Sequence, residues 1–368
     1  MNCKGLRIGL VGPLAPPAGG MANQTRQLAD LLAAEGAAMT VVQVNAPYWP
    51  AWVVGLPVLR ALCRLLPYLR TLWRTAGQVD LFHVMANSGW SWHLFAAPAV
   101  WIAHWRGVPV VVNYRGGEAE EFLQQSAPVV RYTLRRASAL VVPSGFLRDV
   151  FARFGIQAQI VPNIINLSMY QSHASRLSAV PHLVVARNLE PLYSIGTAIQ
   201  AFRIISACFP GARLSITGTG PEANALAQLV DELGLTNYAV FTGQLDRQAM
   251  ADLYRSADLL LNPSLADNMP NSLLEAWASG VPVVSTRVGG IPYLAQDGVT
   301  ASLVPPSDPI AMAQASVLLL CNQTVWQQRV QAGLQEVKRY TWSCVQPLLT
   351  DVYRLALQQA SPRLKEFA

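Results

Sequence analysis

Short apolar, β-branched runs recur along the chain, each followed by a longer stretch with helical spacing. In the first half they fall at residues 7–12, 39–44, 80–85, 109–113, 139–143 and 159–162. In the second half they fall at 182–186, 213–218, 239–243, 258–262, 282–285 and 301–304. The runs are nearly continuous rather than alternating, which is the pattern of parallel strands covered on both faces. Two such series predict two doubly wound, Rossmann-like α/β domains. Residues 166–181 lack apolar periodicity and are rich in Ser, Gln and His, so the linker is placed there. The expected domains are 1–168 and 169–346, followed by a helical stretch at 347–359. Ligands of such sheets sit beyond the carboxyl ends of the strands, and with two sheets the expected site is a cleft between the domains.

Residues 259–290, LLLNPSLADNMPNSLLEAWASGVPVVSTRVGG, carry the most specific chemistry. A buried strand ends at Asn262, a polar loop follows, Asn271 or Ser272 can cap a helix, and Gly280 ends it. Free amides near Asn271, Ser272 and Leu273 would form an anion site without a metal. Glu275, read as lying in the first turn, could accept two hydrogen bonds from a ribose diol. Asp267, eight residues earlier, stands at the loop mouth where a carboxylate can hold sugar hydroxyls.

This stretch resembles the Glu-x7-Glu signature of the retaining GT-B glycosyltransferases of family 4 (group 1), with Asp267 in place of the first glutamate. Similar motifs occur in order over nearly the whole chain: PPAGGMANQTRQLADLL, VVPSGFLRDVFARFG, IVPNIIN, VVARNLEP, ITGTGPEANAL and FTGQLDRQAMADLYRSADLLLNPS. The resemblance implies a GT-B fold, with two Rossmann-like doubly wound parallel-sheet domains facing a central cleft. The first would bind the acceptor and the second the donor, with a C-terminal helix at 347–362 crossing back to the first. It implies that Gly19 and Gly20 face the donor diphosphate, where a glycine pair after two prolines admits close approach of backbone amides. It further implies that Arg187 binds the diphosphate and stabilises the leaving group, that Glu275 holds the ribose, and that Asp267 stands at the donor sugar. Gly218 and Gly220 would border the nucleotide, and Gly243 and Leu245 would lie near the base.

Three positions depart from the family pattern. Tyr193 stands where a lysine is usual. The sequence Asn113-Tyr114-Arg115-Gly116-Gly117 replaces a strand-end His-Gly near the acceptor. Arg115 could restore the missing positive charge, but it stays protonated and cannot act as a base. Pro270 removes one amide from the phosphate-facing loop. No Asp-x-Asp occurs, so a metal-bound diphosphate is not expected, and charge on the departing nucleotide would be balanced by Arg187, Arg115 and helix dipoles.

Composition sharpens this picture. The 368 residues are 52% hydrophobic and 13% charged, which excludes a disordered chain. Of 27 basic side chains only three are lysines (Lys4, Lys338, Lys365). The net charge of +6 divides into +7 for residues 1–168 and −1 for 169–368, and seven of ten tryptophans (Trp49, Trp52, Trp73, Trp90, Trp92, Trp101, Trp105) lie in the basic half. Residues 56–77 form a basic amphipathic helix: Arg60, Arg64, Arg70 and Arg74 span an arc of about 120° opposite Leu62, Leu65, Leu66, Leu69, Leu72 and Trp73, and Pro67 is expected to kink or break it. The helix either packs on the sheet or lies on an anionic membrane, and the tryptophans and positive charge favour the membrane. Residues 81–105 are interrupted by polar side chains and are a poor membrane span. The apolar run at residues 8–11 is too short for a signal peptide, and five scattered cysteines and five histidines show no ligand spacing.

The expectation is a metal-independent, retaining transferase on the cytoplasmic membrane face. It would move a sugar from a UDP- or GDP-linked donor to a lipid-linked saccharide acceptor in surface polysaccharide synthesis, with no other cofactor and no nucleic-acid partner. A nucleotide-sugar 2-epimerase, a non-catalytic nucleotide-sugar-binding subunit and a membrane-docked structural protein stand as alternatives.

Overall fold

A computed structural model describes residues 3–16, 19–47, 57–170 and 177–366. The chain divides into two compact units: unit 1 combines Met1–Asn163 with Val345–Ala368, and unit 2 is Ile164–Cys344. Trp49, Trp52, Pro17 and the 171–176 part of the expected linker lie outside the described residues.

Unit 1 is built on strands β1 (Arg7–Gly12), β2 (Ala38–Gln43), β3 (Leu81–Ala86), β4 (Val110–Tyr114), β5 (Ala139–Val142) and β6 (Gln159–Ile160). They form one parallel sheet in the order β2-β1-β3-β4-β5-β6. Its helices are α1 (Gly20–Ala34), α2 (Pro57–Ala76), α3 (Gly89–Ser91), α4 (Ala97–Trp105), α5 (Ala119–Leu134) and α6 (Gly145–Arg153). Phe82, Val84, Val110 and Val112 point from β3 and β4 into a core shared with α2, α4 and α5. His83 and Asn113, at odd positions, project from the other face. That face meets the last helix, where Tyr353 is buried and its hydroxyl lies 2.8 Å from His83 Nδ1.

Unit 2 repeats the plan with β7 (His182–Ala186), β8 (Arg213–Thr217), β9 (Ala239–Gly243), β10 (Leu259–Asn262), β11 (Val283–Thr286) and β12 (Ser302–Val304), ordered β12-β11-β10-β7-β8-β9. Its helices are α7 (Ile195–Cys208), α8 (Ala223–Glu232), α9 (Arg247–Arg255), α10 (Asn271–Ala278), α11 (Ile291–Leu294), α12 (Pro309–Leu320) and α13 (Gln323–Glu336), and α14 (Trp342–Glu366) leads back into unit 1. All twelve apolar runs are strands, each within two residues of its expected ends.

Three expectations change. Residues 166–181 are expected to be linker, yet Tyr170 is buried in the core of unit 2 beside Ile165, whose N–H donates to the Tyr340 carbonyl at 2.9 Å. Pro67 does not break α2, which runs unbroken from Pro57 to Ala76. Tyr68, Leu72 and Ala76, all after the proline, anchor it in the core, and burial of that face outweighs one lost backbone bond. The same packing takes Leu65, Leu69 and Leu72 of the apolar stripe for which sheet and membrane compete. Leu66 and Trp73 remain 62% and 47% exposed, and Trp90 and Trp105 are exposed as well, whereas Trp92 is fully buried.

Candidate functional site

Arg187 follows β7, at the carboxyl edge of the unit 2 sheet, and three groups hold it. Its Nε–H donates to Asn262 Oδ1 at the end of β10 at 2.8 Å, its Nη2 pairs with the Asp267 carboxylate, and the Tyr193 ring lies 5.2 Å from the guanidinium carbon. Arg187 and Asp267 are each only 12% exposed. Tyr193, where the family pattern has a lysine, is thus a stacking partner for the arginine. Burial raises the Asp267 carboxyl above the ordinary carboxylate range, while Arg187, the Asn268 N–H and the Ser264 hydroxyl offset part of the rise.

Glycines bring the loops of this site together. Gly218 has φ +131°, and a Cβ there would collide with the Arg187 carbonyl. Gly290 donates its N–H to the Asp267 carbonyl at 2.8 Å, and a Cβ there would collide with the Asn268 carbonyl. Backbone therefore packs on backbone beneath Arg187 and Asp267, which no residue with a side chain permits. Gly220 packs in the same way on Leu189, and the Gly243 carbonyl accepts the Gly218 N–H at 2.9 Å. Leu245 is half-buried on the loop before α9.

Helix α10 differs from its expected start. Its N-cap is Pro270, with no side-chain cap, so neither Asn271 nor Ser272 caps it. The Leu273 N–H donates to the Pro270 carbonyl at 3.3 Å and is not a free amide, whereas the buried Ser272 hydroxyl has no hydrogen-bond partner among the described residues. Glu275 is the fifth residue of the helix, one or two residues deeper than expected and just past the first turn, because the helix starts at Asn271. Burial raises its pKa, and interactions with the hydroxyls of Tyr170 and Tyr254, then the charges of Arg187 and Arg247, pull it back. Both tyrosines escaped the sequence reading: Tyr170 lay in the presumed linker, and Tyr254 looked like one more core aromatic on α9.

Gly19, Gly20 and Arg115 belong to unit 1. Gly19 is the N-cap of α1, in extended backbone with no side-chain cap, and a Cβ there would meet nothing within 4 Å. Packing therefore does not demand glycine at that position. Arg115 follows β4; its Nε–H donates to Asn113 Oδ1 at 3.2 Å and its Nη1 bonds Asn163 Oδ1. Asn113 Nδ2 lies 3.1 Å from His83 Nε2. His83, to which the sequence reading gave no role, is fully buried, and burial followed by the nearby Arg115 charge lowers its pKa to about 3. Its one signal in the sequence is a polar residue in the middle of an otherwise apolar strand, LFHVMA.

Among the described residues, no group of three or more His, Cys, Asp or Glu side chains is placed to hold a metal, and no helix is long and apolar enough to cross a membrane.

Residues 181–322 match the family model described as glycosyl transferases group 1, and residues 19–163 match the glycosyl transferase 4-like domain. A phosphatidyl-myo-inositol mannosyltransferase of Mycobacterium leprae is 27% identical over 383 residues, covering 97% of this chain and 98% of the relative. A D-inositol 3-phosphate glycosyltransferase of Mycolicibacterium smegmatis is 31% identical over 181 residues, 48% of this chain and 40% of that one. Among solved structures, sucrose-phosphate synthase from Thermosynechococcus elongatus superposes with a TM-score of 0.77 at 19% identity, covering 95% of this chain and 98% of the other. Anabaena Alr3699/HepE, in complex with UDP and glucose, gives 0.72 at 18% identity and covers 95% and 99%.

Proposed function

Because the chain belongs to the group 1 glycosyltransferase family and has the GT-B fold, we propose that it moves a sugar, with retention of anomeric configuration and without a metal, from a UDP- or GDP-linked donor to a lipid-linked saccharide acceptor. The observation that carries this reading is the cluster of Arg187, Asp267 and Asn262 at the carboxyl edge of the unit 2 sheet, with the Glu275 carboxylate electrostatically coupled to Arg187. Arg187 would bind the diphosphate and stabilise the charge that builds on it as the glycosidic bond breaks. Asp267 would hold hydroxyls of the donor sugar, and Glu275 would hold the ribose diol. The uncapped start of α1 at Gly19 and Gly20, and the start of α10 at Asn271, Ser272 and Leu273, would add backbone dipoles facing the phosphates. Gly218, Gly220, Gly243 and Leu245 would border the nucleotide, and Arg115 would supply the second cation that Tyr193 does not.

The UDP held by Anabaena HepE supports a nucleoside diphosphate donor. A phospholipid named as acceptor of the M. leprae relative supports a lipid acceptor bound by unit 1 at the cytoplasmic membrane face. Positive charge and exposed Trp73, Trp90 and Trp105 in that unit suit such a surface.

Replacement of Glu275 by Ala tests the donor site. Calorimetry should find UDP or GDP bound at least about tenfold more weakly, the loss of two hydrogen bonds to a charged acceptor. Unchanged affinity would remove the ribose assignment. The stacking of Tyr193 on Arg187 favours, as second reading, a subunit that binds nucleotide sugar without turnover; nucleotide binding with no transfer to native lipid extract would establish it.

A further inference from the structure

Arg115 has no counter-charge among the described residues. Among the described residues no carboxylate pairs with it: nearby Glu120 pairs with Arg153, and Glu118 is exposed. Its two hydrogen-bond partners, Asn113 and Asn163, are neutral amides. Burial lowers its pKa to about 10, with no carboxylate raising it again, so it remains charged at neutral pH. A half-buried charge with no carboxylate partner among the described residues costs free energy that a purely structural residue would avoid.

Donor and acceptor chemistry fixes the rest of the chain of bonds. Arginine can only donate, so Asn113 Oδ1 accepts from its Nε–H and Asn113 Nδ2 must face the other way as a donor. His83 Nε2 therefore accepts from Nδ2 and carries no proton. The proton of the neutral ring is then on Nδ1, which donates to the Tyr353 hydroxyl at 2.8 Å. A single arginine thus sets the orientation of an amide, a tautomer and a hydroxyl, and the relay ties the end of β4 to α14. Beyond Arg115 the chain carries no side chain for two residues, and a Cβ at Gly117 would meet nothing within 4 Å. Arg115 is half-buried rather than sealed in the core, which leaves a ligand a way to it.

We infer that Arg115 is an anion seat for a phosphate group of the substrate, and that Asn113, His83 and Tyr353 are positioning residues that aim its guanidinium. The planar fork suits phosphate, and a phosphate reaches this seat either from the donor diphosphate or from a phosphorylated acceptor. The choice of phosphate rests on the function proposed above, whereas the seat and the relay do not.

The test uses the full chain labelled with 15N-histidine, with the His83 signals identified by their absence in His83→Gln. Inorganic phosphate, UDP and glycerol 3-phosphate serve as probes. The expected spectrum is a neutral, Nδ1-protonated His83 whose ring signals shift on adding at least one probe, and Arg115→Gln abolishes the shift. A shift with UDP alone assigns the donor diphosphate, and a shift with glycerol 3-phosphate assigns an acceptor phosphate. His83→Leu should weaken binding of the active probe about tenfold. His83→Gln, which keeps one acceptor and one donor, should restore most of it, a rescue that a packing role would not give. No shift with any probe, a shift that survives Arg115→Gln, or an Nε2-protonated ring would overturn the inference. UDP affinity that is unchanged in Glu275→Ala defeats the donor reading separately and leaves the seat standing.

Discussion

At the scale of single residues, backbone contact decides the geometry. Gly290 lets the loop after β11 press on the carbonyls of Asp267 and Asn268, so Gly290→Ala must push that loop away. The expected cost is about 2 kcal/mol or more in urea unfolding, together with lost nucleotide affinity, because Asp267 moves with the loop. Buried His83 makes a second residue-level prediction. Its pKa is lowered to about 3 in the folded protein against 6.5 when unfolded. The unfolded chain therefore binds an extra proton between those values, so stability is lost as pH falls below 6.5, by up to about 1.4 kcal/mol per pH unit. Urea titrations at pH 7, 6 and 5 should show this slope, and His83→Gln should remove that part of it; an equal slope in both proteins would contradict the neutral ring.

At the scale of elements, the strands were legible because burial on both faces leaves continuous apolar runs such as LVVA and LLLN. The chemistry at their ends was legible in part. Asp267 and Arg187 stand out as charges beside such runs, but their ion pair joins residues eighty positions apart, and only the β7–β10 pairing brings them together. Glu275 lies one residue deeper in its helix than a cap at Asn271, a good capping residue, would put it, because the cap is Pro270. Relay residues were illegible for a related reason: His83 and Asn113 meet through the register of β3 on β4, which pairs Met85 with Asn113, and Tyr353 comes from the far end of the chain. For α2, the amphipathic pattern predicts a helix either packed on the sheet or lying on a membrane, and the structure puts Tyr68 and Leu72 in the core. Its arginines still face an anionic surface in the proposed function. Reversal of Arg64, Arg70 and Arg74 to Glu should abolish flotation with phosphatidylglycerol vesicles, and retained flotation would confine the helix to packing.

At the scale of the whole molecule, two parallel sheets of six strands belong to units of different charge, to which the proposed function gives different tasks. Unit 2 holds the Arg187–Asp267 pair, proposed as the donor site, and unit 1 holds most of the excess arginine, the exposed Trp73, Trp90 and Trp105, and Arg115, the proposed anion seat. The C-terminal helix matters to that division, because its Tyr353 completes the relay in unit 1. Transfer itself is the most direct test. The protein is incubated with sugar-labelled UDP- and GDP-linked donors, native lipid extract and excess EDTA. Label should appear in the organic phase at a rate unchanged by EDTA and lowered at least about a hundredfold in Arg187→Ala. Label that stays on the nucleotide, or transfer that requires Mn²⁺ or Mg²⁺, would contradict the proposed function.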